Sequence, residues 1–145
     1  MAQVNPYLIF NGSCEAAFNF YKSVFGGQFL YLGRFKEAPP QPGQTFSAAD
    51  GERIMHVSLP ISKETILMGS DSNSASGDVK MGSNVSVSVN TSSEEEATKI
   101  FNGLSAGGII KMPLQKTFWG AFFGMSTDKF GIDWMVNYDY NQQPK

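Results

Sequence analysis

Residues 14–27, CEAAFNFYKSVFGG, and residues 94–108, EEEATKIFNGLSAGG, carry one plan twice. In the first, Cys14, Ala17, Phe18, Tyr21 and Phe25 fall at i, i+3, i+4, i+7 and i+11. In the second, Ala97, Ile100, Phe101 and Leu104 repeat the i, i+3, i+4, i+7 spacing. Each set makes a single apolar stripe at helical period. Both helices have start and stop signals. Ser13 is placed to cap the first, with Glu15 in its opening turn, and Gly26-Gly27 ends it. Ser93 and Glu96 form a capping box for the second, and Gly107-Gly108 ends it.

Outward from each helix the same order of strands recurs. Val4 to Phe10 precedes the first helix, and Gln28 to Lys36, Arg53 to Leu59 and Thr65 to Ser70 follow it. Asn84 to Asn90 precedes the second, followed by Ile109 to Leu114, Phe118 to Thr127 and Ile132 to Tyr138. A repeated supersecondary unit is a stronger fold signal than any single element. The fold class is therefore α+β: two tandem βαβββ modules, about 4–70 and 84–138, within one domain spanning 1–145. The Ser/Asn/Gly-rich stretch 71–83 reads as the linker. Glu37 to Gly51, with Pro39, Pro40, Pro42 and Gly43, reads as a long irregular loop, and 141–145 as a frayed tail.

Each module has one helix for four strands, so the helix covers one sheet face and leaves the other open. Strand alternation assigns the side chains. Val85, Val87 and Val89 face the helix, and Asn84, Ser86, Ser88 and Asn90 the open side. Met55, Val57 and Leu59 are expected inward, with Ile54, His56 and Ser58 opposite. Ile132, Trp134 and Val136 point inward, leaving Asp133, Met135 and Asn137 open. The first strand, apolar on both faces, reads as buried on both sides. The open face then collects His56, Ser58, Ser86, Ser88, Met135, Asn137 and Tyr7. Apolar walls with few polar groups suit a small-molecule site, although a wet sheet face or a dimer contact has the same pattern.

Composition bounds the function. Over 145 residues, 41% are hydrophobic and 17% charged, with twelve Phe, five Tyr and two Trp. Eleven basic against thirteen acidic residues, with no basic block, argue against nucleic acid or an anionic membrane as partner. No apolar run is long enough to span a bilayer. The N-terminal residues lack a secretory pattern, so a cytoplasmic location is expected. The one cysteine, Cys14, lies on the helix stripe and reads as an inert core thiol. The chain has no P-loop or dinucleotide glycine motif, no Gly-x-Ser-x-Gly elbow and no Cys-His cluster.

The chain resembles the PhnB-like branch of the vicinal oxygen chelate superfamily, which includes glyoxalase I, bleomycin-resistance proteins and extradiol dioxygenases. The residues carrying the likeness are Pro6-Tyr7-Leu8, Ala16-Ala17-Phe18, Phe20-Tyr21, Met55-His56-Val57 and Leu67-Met68-Gly69-Ser70-Asp71. The most specific run is Thr117-Phe118-Trp119-Gly120, Phe123-Gly124, Asp128-Lys129-Phe130-Gly131 and Trp134-Met135-Val136-Asn137. The resemblance implies a homodimer and a ligand site in a cup formed by the sheets. It also implies four His or carboxylate-type metal ligands at positions that most nearly match Tyr7, Met68, Asn84 and Met135. Thioether, phenol and amide make a poor set for a hard oxygen-chelating metal, so no metal and no other cofactor is expected. Some similar sequences carry a methyltransferase label, but no glycine-rich motif for a nucleotide-type methyl donor is present.

The candidate ligand-binding residues are Tyr7, His56, Met68, Ser86, Trp119, Phe123 and Met135. His56, the only imidazole, is the one candidate acid, base or hydrogen-bond donor near neutral pH. Arg34 could meet an anion or be a solvated strand residue. Asp128 reads as a turn residue, Trp134 as core and Glu94 to Glu96 as helix capping. Three functions remain open: a metal-free small-molecule binder, a metal-dependent enzyme using His56 at a new place, or a partner-binding dimer with a filled cup.

Overall fold

The computed structural model describes residues 2–39, 46–73 and 77–141. The chain divides into two compact units, 1–80 and 81–145. The first unit runs β1 (Tyr7–Phe10), α1 (Cys14–Phe25), β2 (Tyr31–Arg34), a single 3-10 turn (Phe35–Glu37), α2 (Ala48–Glu52), β3 (Ile54–Pro60) and β4 (Ile66–Asp71). The second runs β5 (Val87–Asn90), α3 (Glu94–Ser105), β6 (Ile109–Lys116), β7 (Ala121–Thr127) and β8 (Asp133–Asp139). Each holds one four-stranded sheet, ordered β1-β4-β3-β2 and β5-β8-β7-β6. In both, the first strand pairs parallel with the last, and the remaining pairs are antiparallel. The two units therefore share one topology.

The helix stripes are the cores. Cys14, Ala17, Phe18 and Tyr21 of α1 are fully buried, as are Ala97 and Leu104 of α3, with Phe101 at 3% exposure. Burying a large apolar side chain contributes roughly 1.5–3 kcal/mol, so these residues fix each helix to its sheet. Both contacts need a glycine in the sheet. A Cβ on Gly69 of β4 would lie 2.6 Å from Phe18 Cε2, and one on Gly124 of β7 would lie 2.9 Å from Phe101 Cε2.

The helix starts differ. In α3 the Ser93 hydroxyl accepts from Glu96 N–H, while Glu96 Oε1 accepts from Ser92 N–H at 3.0 Å. The expected cap of α1 is not made, since the Ser13 side chain forms no capping hydrogen bond. Asp71, at the end of β4, replaces it. Its Oδ1 accepts from Gly12 and Cys14 N–H, each at 2.9 Å, and its Oδ2 from Ile54 N–H at 2.9 Å. One carboxylate thus joins α1, β3 and β4.

Several expectations are corrected. β1 is not buried on both sides: Leu8 and Phe10 are buried, but Tyr7 and Ile9 are each 44% exposed. The β2–β3 register slips between Gly33 and Arg34 of β2, so that Arg34 pairs with Ile54 and Met55 of β3 is the extra residue. The bulge turns Ile54 inward (1% exposed) and leaves Met55 half-buried. Val85 precedes β5 and is 75% exposed. Phe118 and Trp119 lie in the turn before β7, not in the strand. The stretch read as one loop from 37 to 51 contains the start of α2, and residues 40–45 fall outside the described residues. So do 74–76 of the expected linker and 142–145 of the tail, while Asp71 belongs to β4.

Candidate functional site

The open face of the first sheet follows from its register. Tyr7 stands opposite Met68, Met68 opposite Ser58, and Ser58 opposite Tyr31. The next row runs from Ile9 to Ser70, and His56 lies opposite Gly33. Three rings meet here. Tyr7 Oη and His56 Nδ1 are hydrogen-bonded at 3.1 Å, and their rings stack with centroids 5.6 Å apart and planes at 24°. Tyr31, on the adjacent strand β2, flanks the imidazole at 5.9 Å and 33°. The absence of a side chain at Gly33 makes this possible, because a Cβ there would meet the Tyr31 hydroxyl.

The structure therefore brings Tyr7, His56 and Met68 together on one face. Tyr31 was missed by sequence reading. Its signal was parity: Tyr31 and Gly33 alternate in β2 on the side of His56. The hydrogen-bond partner of His56 was likewise invisible, because Tyr7 is 49 residues away and brought near through the strand order.

The second unit has its own open face. Ser88 pairs with Met135, Met135 with Met125, and Met125 with Met112. Phe123 pairs with Asn137, and Trp119 packs edge-on against it at 6.0 Å. Met135 and Phe123 thus lie on the open side, and Ser86 just before β5 is half-buried. Asn84 lies in a bend outside the sheet. Asp128 holds the β7–β8 turn: Oδ1 accepts from Phe130 and Ile132 N–H, and Oδ2 accepts from Trp134 Nε1 at 2.8 Å. Trp134 is buried (2% exposed).

A pocket of about 280 Å3 opens beside the start of α1, lined by Gly12, Glu15, Arg34, Glu52, Arg53 and Asp71. Each of its charged side chains already has a partner. Arg34 meets Glu15 through both terminal nitrogens, at 3.2 and 2.6 Å, and also donates to the Glu52 carbonyl at 3.0 Å. The Glu15 carboxylate raises the Arg34 guanidinium above its ordinary value. Arg53 donates to the Ser72 carbonyl at 2.9 Å. Arg34 is thus neither a solvated strand residue nor a free anion clamp.

Among the described residues no group of three or more His, Cys, Asp or Glu is placed to hold a metal ion. No helix among them is long and apolar enough to cross a membrane.

Comparison with known proteins adds the following. The family model described as 3-demethylubiquinone-9 3-methyltransferase matches residues 2–137. The chain is similar to protein PA1353 of Pseudomonas aeruginosa, with 39% identity, 96% of this chain and 98% of that one covered, and a TM-score of 0.83. It is 31% identical to Protein YjdN of Escherichia coli (strain K12), covering 97% of each. A Bacillus cereus structure described as a putative 3-demethylubiquinone-9 3-methyltransferase, PhnB protein, is 26% identical, covers 94% and 99%, and has a TM-score of 0.72. Structures of glyoxalase/bleomycin resistance/dioxygenase type share the fold.

Proposed function

This chain belongs to the PhnB-like family of the vicinal oxygen chelate superfamily, and from that premise we propose that it binds a small organic molecule on its open sheet faces without the superfamily's metal. The observation that carries this reading is the Tyr7–His56–Tyr31 cluster, an oriented imidazole set among Ile9 and Met68 on a face the helix leaves uncovered. Few polar groups on an apolar wall give a ligand both affinity and orientation.

The donor chemistry at the four inherited metal positions does not fit. Met68 and Met135 offer thioether sulfur, Asn84 an amide, and Tyr7 a phenol already hydrogen-bonded to His56. The methyltransferase description has no support in a nucleotide-binding motif of this chain. The homodimer implied by the family likeness is part of the same proposal, and sedimentation equilibrium tests it.

Thermal-shift screening of a small-molecule library tests the binding. A ligand at a hundred times its Kd stabilises the fold by roughly 2.7 kcal/mol. The gain is expected to disappear in a Tyr7→Ala, His56→Ala double variant that stays folded. Stabilisation that survives those substitutions would sink the proposal. So would a metal bound stoichiometrically after purification without chelators.

A further inference from the structure

His56 has one ring nitrogen engaged and one to spare. Nδ1 is taken by Tyr7 Oη, and among the described residues Nε2 has no hydrogen-bond partner. The surrounding face is neutral. Its neighbours from β1 are Tyr7 and Ile9, from β2 Tyr31 and Gly33, and from β4 Met68 and Ser70. The charged residues of these strands are occupied elsewhere: Arg34 on Glu15, and Asp71 on three backbone N–H groups. Among the described residues of these strands, the titratable groups against the imidazole are therefore two tyrosines and no carboxylate.

This composition has a chemical consequence. A histidine normally gains a charged state near neutral pH by pairing with an acid, and here the protein face supplies none. Tyrosine ring faces beside an imidazolium are favourable, since the aromatic quadrupole attracts a cation. An anionic oxygen in line with Nε2 would supply the counter-charge that the face itself lacks. The two tyrosine rings and the Met68 thioether also favour an aromatic body.

We propose that His56 Nε2 anchors the carboxylate of an aromatic acid, and that binding couples to protonation of the imidazole. This rests on the reading that the open sheet face is the ligand site. Nδ1 then donates to Tyr7 Oη, and Nε2–H donates to the bound carboxylate. No bond other than hydrogen bonds is made.

The single histidine makes the test direct, because its imidazole resonance can be followed without assignment ambiguity. The probes are benzoate, its neutral analogue benzamide, and acetate, titrated into the wild-type chain at pH 5.5 and pH 8 by NMR. Benzoate is expected to bind about tenfold tighter at the lower pH and to raise the imidazole titration midpoint by about one unit. Benzamide is expected to show no pH dependence, and acetate to bind more weakly than benzoate. His56→Gln should abolish the pH dependence, and Tyr7→Phe, which keeps the ring, should retain it. Benzoate and benzamide binding alike at both pH values would overturn this inference and leave the proposed binding function standing. None of the three probes moving the imidazole or the Tyr7 and Tyr31 resonances would likewise overturn this inference, and the library screen then decides the binding function separately.

Discussion

Tyr7 on β1 and His56 on β3 are joined by a 3.1 Å hydrogen bond across β4, the strand that separates them in the sheet. The phenol and the stacked ring together fix which nitrogen the imidazole turns outward. Tyr7→Phe should keep the stacking and remove the bond. Because the pair is exposed, the expected loss of stability is at most about 1 kcal/mol. The imidazole should change its mix of tautomers, which nitrogen-15 NMR of the single histidine reads directly. An unchanged tautomer ratio would show that the bond is not made in solution.

Asp71→Asn tests the carboxylate shared by Gly12, Cys14 and Ile54 N–H. An amide has one acceptor oxygen in place of two and sets N–H against N–H. The expected cost is about 2–3 kcal/mol, measured by urea denaturation. Ser13→Ala should cost far less, because that hydroxyl does not cap α1.

Gly69→Ala and Gly124→Ala test the matched helix contacts. The new methyl groups would sit 2.6 Å from Phe18 and 2.9 Å from Phe101. Overpacking of this kind costs about 1–3 kcal/mol at each site. At Gly69 the Leu8 carbonyl also lies 2.7 Å from the added carbon. At Gly124 the nearest backbone, Leu114 N, is farther at 3.1 Å, and backbone yields less than a side chain, so Gly69→Ala should lower Tm more than Gly124→Ala.

Cys14 gives a dependence on alkaline pH. Burial pushes its thiol well above the ordinary value, and Asp71 and Glu15 add to the effect. The unfolded chain releases this proton from roughly pH 8.5 upward, while the folded protein retains it. The group's contribution is therefore fully present below that pH and is lost as pH rises toward the folded-state value. The slope is at most about 1.4 kcal/mol per pH unit. Cys14→Ala should flatten the fall in stability between about pH 8.5 and 10.5, whatever its cost at neutral pH. In the native state the thiol should react with alkylating reagents only as fast as the fold opens.

The sequence alone determined the doubled βαβββ plan, because helical period and the Gly-Gly stops are local properties of the chain. The buried stripe of α1 and the box at Ser93 follow the residue pattern directly. Parity placed Tyr7 and His56 on the open side for the same reason, whereas Met68 was reached only through the family resemblance. Tertiary structure decided what local pattern cannot encode. The bulge that exchanges Ile54 for Met55 depends on pairing with β2, and the cap of α1 comes from Asp71, 57 residues from Cys14. The ring of Tyr31 reaches His56 over Gly33 of its own strand, and Tyr7 reaches it across β4. Strand order sets these neighbours, and strand order is fixed by long-range pairing and packing rather than by any one segment's preferences.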